Sequence, residues 1–244
     1  MGKRKPYGRV EFWRELRHLL WLNRVLVGGA LLALVTCCWL FSLRIHGYLL
    51  GLSQASFAGV FAVAFTSLLL LYSGAGWKLV GAWGEDNTRG ELRQAERNDL
   101  VWGSIDTVKL KGVDIDHIVV SKSGVLVIDS KWHAKAQLSN WYLDKDAQAA
   151  KEGASKVSSI VRGPKLQEVD PDLPRDLEIN PVIAVWGAGE KAFLQGVGLH
   201  KGVVFVAGKH LQRWLSETCG QGPIRPTIGR RLVKAIEQFA ASPR

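Results

Sequence analysis

Asp114-Ile115-Asp116-His117-Ile118-Val119-Val120-Ser121-Lys122-Ser123-Gly124-Val125-Leu126-Val127-Ile128-Asp129-Ser130-Lys131 reads as a β-hairpin with acids at its open end. Two segments rich in β-branched residues flank the polar Ser121-Lys122-Ser123-Gly124, the pattern of strand, turn and strand. Opposed positions of an antiparallel hairpin keep a constant sum of residue numbers. A symmetric turn therefore sets Val120 against Val125, Ile118 against Val127 and Asp116 against Asp129. Directly opposed side chains share a face, with Cβ atoms roughly 4.5 to 5.5 Å apart, and the two-residue period adds Asp114 and Lys131 to it. Val125 to Ile128 are apolar on both faces, so the second strand is expected at the centre of a sheet covered on both sides, where lone charges are costly. Two explanations of the charges stay open. They hold a divalent cation, since Mg²⁺ suits a couple of carboxylates with phosphate oxygens and water, and Lys131 holds or activates a water. Alternatively, they sit where the strands fray into solvent.

Before the hairpin, the chain changes character. Val25 to Leu43 and Tyr48 to Tyr72 carry no charge, and each is long enough to cross roughly 30 Å of hydrocarbon. Only Arg44-Ile45-His46-Gly47 separates them, so the sequence predicts a transmembrane helical hairpin over residues 25–73. A cleaved signal peptide fits less well, because the first run exceeds an h-region and a second span follows at once. Residues 1–24 hold seven Lys and Arg against two acids. Within them, Phe12, Trp13, Leu16, Leu19 and Leu20 fall at helical spacing, the pattern of a helix lying in a membrane interface; a nucleic-acid-binding basic arm is the alternative. Counting basic residues on either side of the spans places both termini in the cytoplasm of a cell or inner membrane. Residues 74–244 then form a cytoplasmic domain.

The net charge of +10 is thus partly a membrane-side feature, and the mild remainder can serve an anionic substrate. The adjacent Cys37 and Cys38 and the isolated Cys219 make neither a disulfide framework nor a four-ligand zinc set, which suits a reducing compartment.

In the domain, residues 74–97 read as a helix despite Gly76, Gly81, Gly84 and Gly90, and Ser104 to Leu110 as a strand entering the hairpin. The stretch from Trp132 and His133 to Trp141 and Tyr142 reads as an exposed extension, with His133 a surface histidine. Ala147, Ala150, Ala154, Val157 and Val161 mark one face of an amphipathic helix. A proline-bearing loop over 163–181 follows, then strands at Val182–Trp186 and Gly202–Ala207, a helix around Leu211–Leu215 and a closing helix Thr227–Ala240. The order is that of a mixed α/β domain.

Gly84-Glu85 with Thr88 and Leu92, then Ile115 to Val120, Gly124-Val125 and Val127-Ile128-Asp129-Ser130-Lys131, resemble the nuclease-related domain, NERD, of the PD-(D/E)xK nuclease-like superfamily. Pro181 to Trp186 and the elements after it resemble the second half, so the likeness spans roughly residues 80 to 240. The resemblance implies a restriction-endonuclease-like fold, a mixed β-sheet flanked by helices. It also implies a helix glutamate at Glu85, with Glu91 as a rival, a first strand acid at Asp116 and a (D/E)-x-K pair at Asp129 and Lys131. Gln148 matches the polar residue often found on the helix after the core strands, with Lys151 as a substitute. Two departures stand out: Trp132-His133-Ala134-Lys135 replaces the Asn-x-x-Gly that often follows the lysine, and the loop around Pro171 is long.

The first functional expectation is a membrane-anchored nuclease that hydrolyses DNA phosphodiester bonds, with Mg²⁺ or Mn²⁺ held by Asp116, Asp129 and Glu85 and with Lys131 acting on the attacking water. Its partners would be nucleic acid and the lipid bilayer. The second is a non-catalytic membrane-tethered scaffold or nucleic-acid-binding module that keeps the fold. A channel or transporter subunit is weak, because neither span carries an ionisable group in its apolar run.

Overall fold

A computed structural model describes residues 14, 16–18, 20–43, 47–73, 75–110, 113–164, 166 and 177–241. The loop Arg44 to His46, most of the interfacial segment before Leu20 and the centre of the proline-bearing loop lie outside them. The chain divides into two compact units, residues 1–82 and 83–244.

The first unit contains α1 (Arg24–Ser42), α2 (Tyr48–Ser73) and the start of α3 (Ala75–Arg97). Its polar side chains turn back onto the backbone: the hydroxyls of Thr36, Ser42 and Ser53 donate to the carbonyls of Leu32, Trp39 and Leu50. Gln54 Nε2 donates to the Cys38 carbonyl at 2.9 Å and links α2 to α1. Leu32, Val35, Leu49, Val60 and Val63 project outward. Among the described residues, Tyr48–Leu68 is the helical stretch long and apolar enough to cross a membrane by itself. Arg24–Leu40 meets that measure only together with Leu16–Leu22 across a bend of 82°. Of the two predicted spans, only the second therefore stands alone by length and composition.

The second unit is a six-stranded mixed sheet between helices. Its strands are β1 (Val101–Leu110), β2 (Val113–Ser121), β3 (Val125–His133), β4 (Ile179–Gly187), β5 (Val197–His200) and β6 (Val203–Ala207). They lie in the order β1-β2-β3-β4-β6-β5, antiparallel except for the β3–β4 and β4–β6 pairs. The predicted hairpin register is observed, with Val120 opposite Val125 and Ile118 opposite Val127. Gly124 lets the backbone before β4 come close to the turn, because a Cβ there would lie 2.6 Å from the Glu178 carbonyl oxygen.

Alternation along the central strands feeds two cores. On one face, Val119, Leu126, Ile128, Val182 and Ala184 pack with Leu92 and Ala95 of α3 and with Leu211 and Leu215 of α5 (Leu211–Cys219). On the other, Ile118, Val120, Val125 and Val127 meet Ala154, Val157 and Val161 of α4 (Asn140–Val161) and Leu232 and Ile236 of α6 (Pro226–Ala241). Val125 to Ile128 are buried on both sides, as their unbroken apolar run requires.

Three boundaries differ from the sequence reading. β3 runs on to His133, so Trp132 and His133 belong to a central strand. Trp141 and Tyr142 occupy the first turn of α4. β4 begins at Ile179 and includes Pro181, which its parallel pairing with Val127 accommodates, and β5 is an additional edge strand.

Candidate active site

The last aligned pair of the β2–β3 ladder is His117 with Ile128. Beyond it, β2 stays with β1 as far as Val113, and β3 stays with β4 as far as His133, so the sheet parts between β2 and β3. One residue past the ladder, the main-chain N–H of Ser130 donates to Asp116 Oδ2 at 2.8 Å. Asp116 and Asp129 lie close enough to act on one another's charge, and Lys131 Nζ donates to Asp129 Oδ1 at 2.7 Å. The parting of the strands thus exposes an acid pair and a lysine on one face. Asp114, which the period also assigns to that face, is exposed and lies opposite Lys109 of β1.

The electrostatics separate this cluster from a frayed, solvated end. Burial, the Asp129 charge and the Glu85 charge, only partly offset by the Ser130 N–H, push the Asp116 carboxyl up to about 8. Its surroundings thus favour the protonated form of Asp116 at neutral pH. Burial works against the charge on Lys131, yet the carboxylate and hydrogen bond of Asp129 outweigh it and raise the ammonium above its ordinary value. Lys131 stays a cation, and with 34% of its side chain accessible it can meet an incoming anion.

Glu85 approaches from α3. Burial raises its carboxyl; the Arg89 guanidinium opposes this, Asp86 and Asp129 add to it, and Lys131 counters. Glu85 is thus within electrostatic reach of the pair. Thr88 fixes the helix, because its hydroxyl accepts from Ser130 Oγ and from Trp186 Nε1, both at 2.8 Å, and donates to the Gly84 carbonyl. One side chain so ties α3 to β3 and β4 beside the cluster.

Arg89 makes a second anchor. Its Nη1 bonds Asp86 Oδ1 at 2.6 Å, and its Nε bonds Asp106 Oδ2 of β1 at 2.7 Å. Burial would raise Asp106, but its hydrogen bond to His117 and the charges of His117 and Arg89 hold its carboxyl below the usual range. An ionised carboxylate only accepts, so His117 Nδ1 donates to Asp106 Oδ1 at 2.8 Å. His117 Nε2 is buried without a hydrogen-bond partner among the described residues.

Gln148 does not join this site. It lies on the exposed side of α4 and donates to Glu152 Oε1 at 2.9 Å, and Lys151 is exposed as well. The buried polar residue of that helix is Asp146, whose Oδ2 lies 3.0 Å from His133 Nε2 and whose charge acts on Lys131. The sequence reading missed both members of this pair. A signal existed: Asp146, Ala150, Gly153 and Val157 continue the buried stripe at steps of four, three and four residues. Among the described residues, no group of three or more His, Cys, Asp or Glu is arranged to hold a metal ion.

Residues 80–167 match the family model of the nuclease-related domain, NERD. The matched stretch holds Glu85, Asp116, Asp129 and Lys131 and runs through α4. It stops before β4, so the likeness read from the sequence as far as residue 240 is supported over its first half. No curated protein and no solved structure matches the chain.

Proposed function

We propose, taking the match over residues 80–167 as the premise, that the chain is a membrane-anchored, Mg²⁺- or Mn²⁺-dependent nuclease that hydrolyses DNA phosphodiester bonds. The observation that carries this reading is the opening of the sheet between β2 and β3, which presents Asp116, Asp129 and Lys131 together. Two carboxylates that lie close enough to act on one another's charge offer a place to a cation. That donor pair fits Mg²⁺, which takes one or two carboxylates and completes its shell with water and phosphate oxygen. Bound there, the ion would supply Lewis-acid neutralisation of the scissile phosphate.

The remaining work falls to the chain. Asp116 gives up its proton to form the site. Lys131 Nζ, steered by Asp129, orients the attacking water and stabilises the charge that develops on the phosphoryl oxygens. Its raised affinity for the proton favours this charge-stabilising role over that of a general base. Glu85 adds negative potential that favours the cation. Backbone contacts from lysines and arginines would dominate DNA affinity and make it sensitive to salt. The apolar hairpin of α1 and α2 would tether this domain to the cytoplasmic face of the cell membrane, with both termini cytoplasmic.

Lys131→Met in the full chain tests the reading. Cleavage of linear or single-stranded DNA should fall by about 10² to 10⁴, the usual cost of losing a positioned charge stabiliser. DNA affinity should change little, because one ammonium among many phosphate contacts contributes little to binding. Wild-type protein without metal-dependent cleavage of any DNA or RNA would sink the nuclease. The second reading, a tethered non-catalytic module, would then take its place. The observation in its favour is that, among the described residues, no group of three or more His, Cys, Asp or Glu is arranged to hold a metal.

A further inference from the structure

Asp129, Lys131 and His133 alternate along β3, so all three side chains project from the same face. Beyond Lys131, a line of rings leads outward. The His133 ring meets Tyr142 edge-on with centroids 5.9 Å apart, and Tyr142 meets Trp141 edge-on at 4.8 Å. Lys145 Nζ lies 5.3 Å from the centroid of the Trp141 ring. His133 is pinned to Asp146, so the inner end of the line is fixed. Its outer end is open: Trp141 is 62% exposed and Tyr142 43%.

We propose that Trp141 and Tyr142 are a stacking platform for the unpaired bases of single-stranded nucleic acid, placed next to Lys131 so that a strand held there leads its phosphate to the acid pair. This rests on the nuclease reading of Asp116, Asp129 and Lys131 and names the substrate class of that site. Three observations favour nucleic acid. The rings form one continuous path to the charged cluster, whereas exposed aromatics that serve nothing are scattered singly. The charge around them suits phosphate, because two nearby acids are already paired with basic side chains: Asp144 with His200 and Lys201, and Asp146 with His133. Lys145 and Lys135 are exposed and have no carboxylate partner among the described residues. An unpaired base offers its whole face to an aromatic ring, whereas a duplex buries those faces in its own stack. The preference for single strands follows from that difference.

The test is binding by the full chain in detergent micelles with EDTA present, so that no cleavage intervenes. A labelled oligothymidylate is compared with a blunt duplex of equal length. Trp141→Ala and Tyr142→Ala should each weaken oligothymidylate binding roughly tenfold, the scale of one lost base–aromatic stack, while the duplex changes less than about twofold. Trp141→Phe should restore most of the loss, which separates stacking from a folding defect. Unchanged oligothymidylate affinity in both alanine variants overturns the proposal. So does an equal loss on the duplex. Loss of binding to phosphatidylglycerol vesicles with oligothymidylate binding intact also overturns it and makes the rings a membrane-resting surface. Because no step requires hydrolysis, selective loss with oligothymidylate upholds the platform even if the wild type cleaves nothing, in which case the nuclease reading alone fails.

Discussion

Asp116 is the residue on which the proposed chemistry and the stability of the domain meet. Its carboxyl has an ordinary value of 3.8 and is pushed to about 8 in the folded chain, so between those values the folded state binds one proton more than the unfolded state. Stability from this group is fully present below pH 4 and is lost as the pH rises through about 8. Metal affinity runs the other way, since the cation and the proton compete for the same carboxylates. Mn²⁺ affinity, measured by titration calorimetry, should therefore rise close to tenfold per pH unit below about 8 and level off above it, with up to one proton released per ion at neutral pH. Asp116→Asn should remove both the steep pH dependence and the proton release; a pH-independent affinity in the wild type would move the metal elsewhere. At this scale the sequence was legible where a strict period applied. The constant sum across the turn paired Asp116 with Asp129, and the step of two added Lys131. It was illegible where a side chain crosses between elements. Asp146 reaches His133 only because α4 packs over the end of β3, and no local spacing encodes that contact.

The arrangement of elements around the acids depends on one hydroxyl. Thr88 serves two donors, Ser130 Oγ and Trp186 Nε1, in a buried setting where neither can turn to water. Thr88→Val preserves shape and removes the acceptor, leaving both donors buried and unpaired. That costs about 2 to 4 kcal/mol, each orphaned group contributing roughly 1 to 2, the lower part of the usual range. Melting followed by tryptophan fluorescence should fall by roughly 5 to 15 °C for a domain of this size, while Thr88→Ser, which keeps the oxygen, should melt near the wild type. Because α3 also carries Glu85 three residues away, Thr88→Val should weaken Mn²⁺ binding as well. An unchanged melting point would mean that α3 is held by Leu92, Ala95 and Arg89 without this junction. The elements themselves were well anticipated where apolar periodicity was long, as in α4 and α6. Their ends were not: Pro181 punctuates a sequence as a loop does, yet its partner strand supplies pairing on a side that needs no N–H from it, and β4 starts two residues earlier.

At the scale of the whole molecule, charge and hydropathy divide the chain more sharply than any motif does. Lys3, Arg4, Lys5, Arg9, Arg14, Arg17 and Arg24 precede the first apolar run, Arg44 alone lies between the runs, and Lys78, Arg89, Arg93 and Arg97 follow the second. Loops rich in lysine and arginine are retained on the cytoplasmic side, and the bias counts most within about 15 to 20 residues of a span. Arg89 adds little to this count, since in the folded domain it is buried between Asp86 and Asp106; the N-terminal cluster carries the asymmetry. That bias would suit a hairpin of two helices with both ends on one side, in keeping with the Gln54 bond from α2 to the Cys38 carbonyl of α1. The opposite possibility is a single span, Tyr48–Leu68, with residues 1–24 on the far side of the membrane from the domain. The two arrangements differ in where the N-terminus lies, since His46 is on the far side from the domain in both. Cysteine substituted at His46, in a background with Cys37, Cys38 and Cys219 changed to serine, should react with a membrane-impermeant maleimide in intact cells. Cysteine at Gly2 or Ser242 should react only after the membrane is opened. Labelling of both Gly2→Cys and His46→Cys in intact cells, with Ser242→Cys protected, would establish the single span instead and keep the acid pair on the cytoplasmic side.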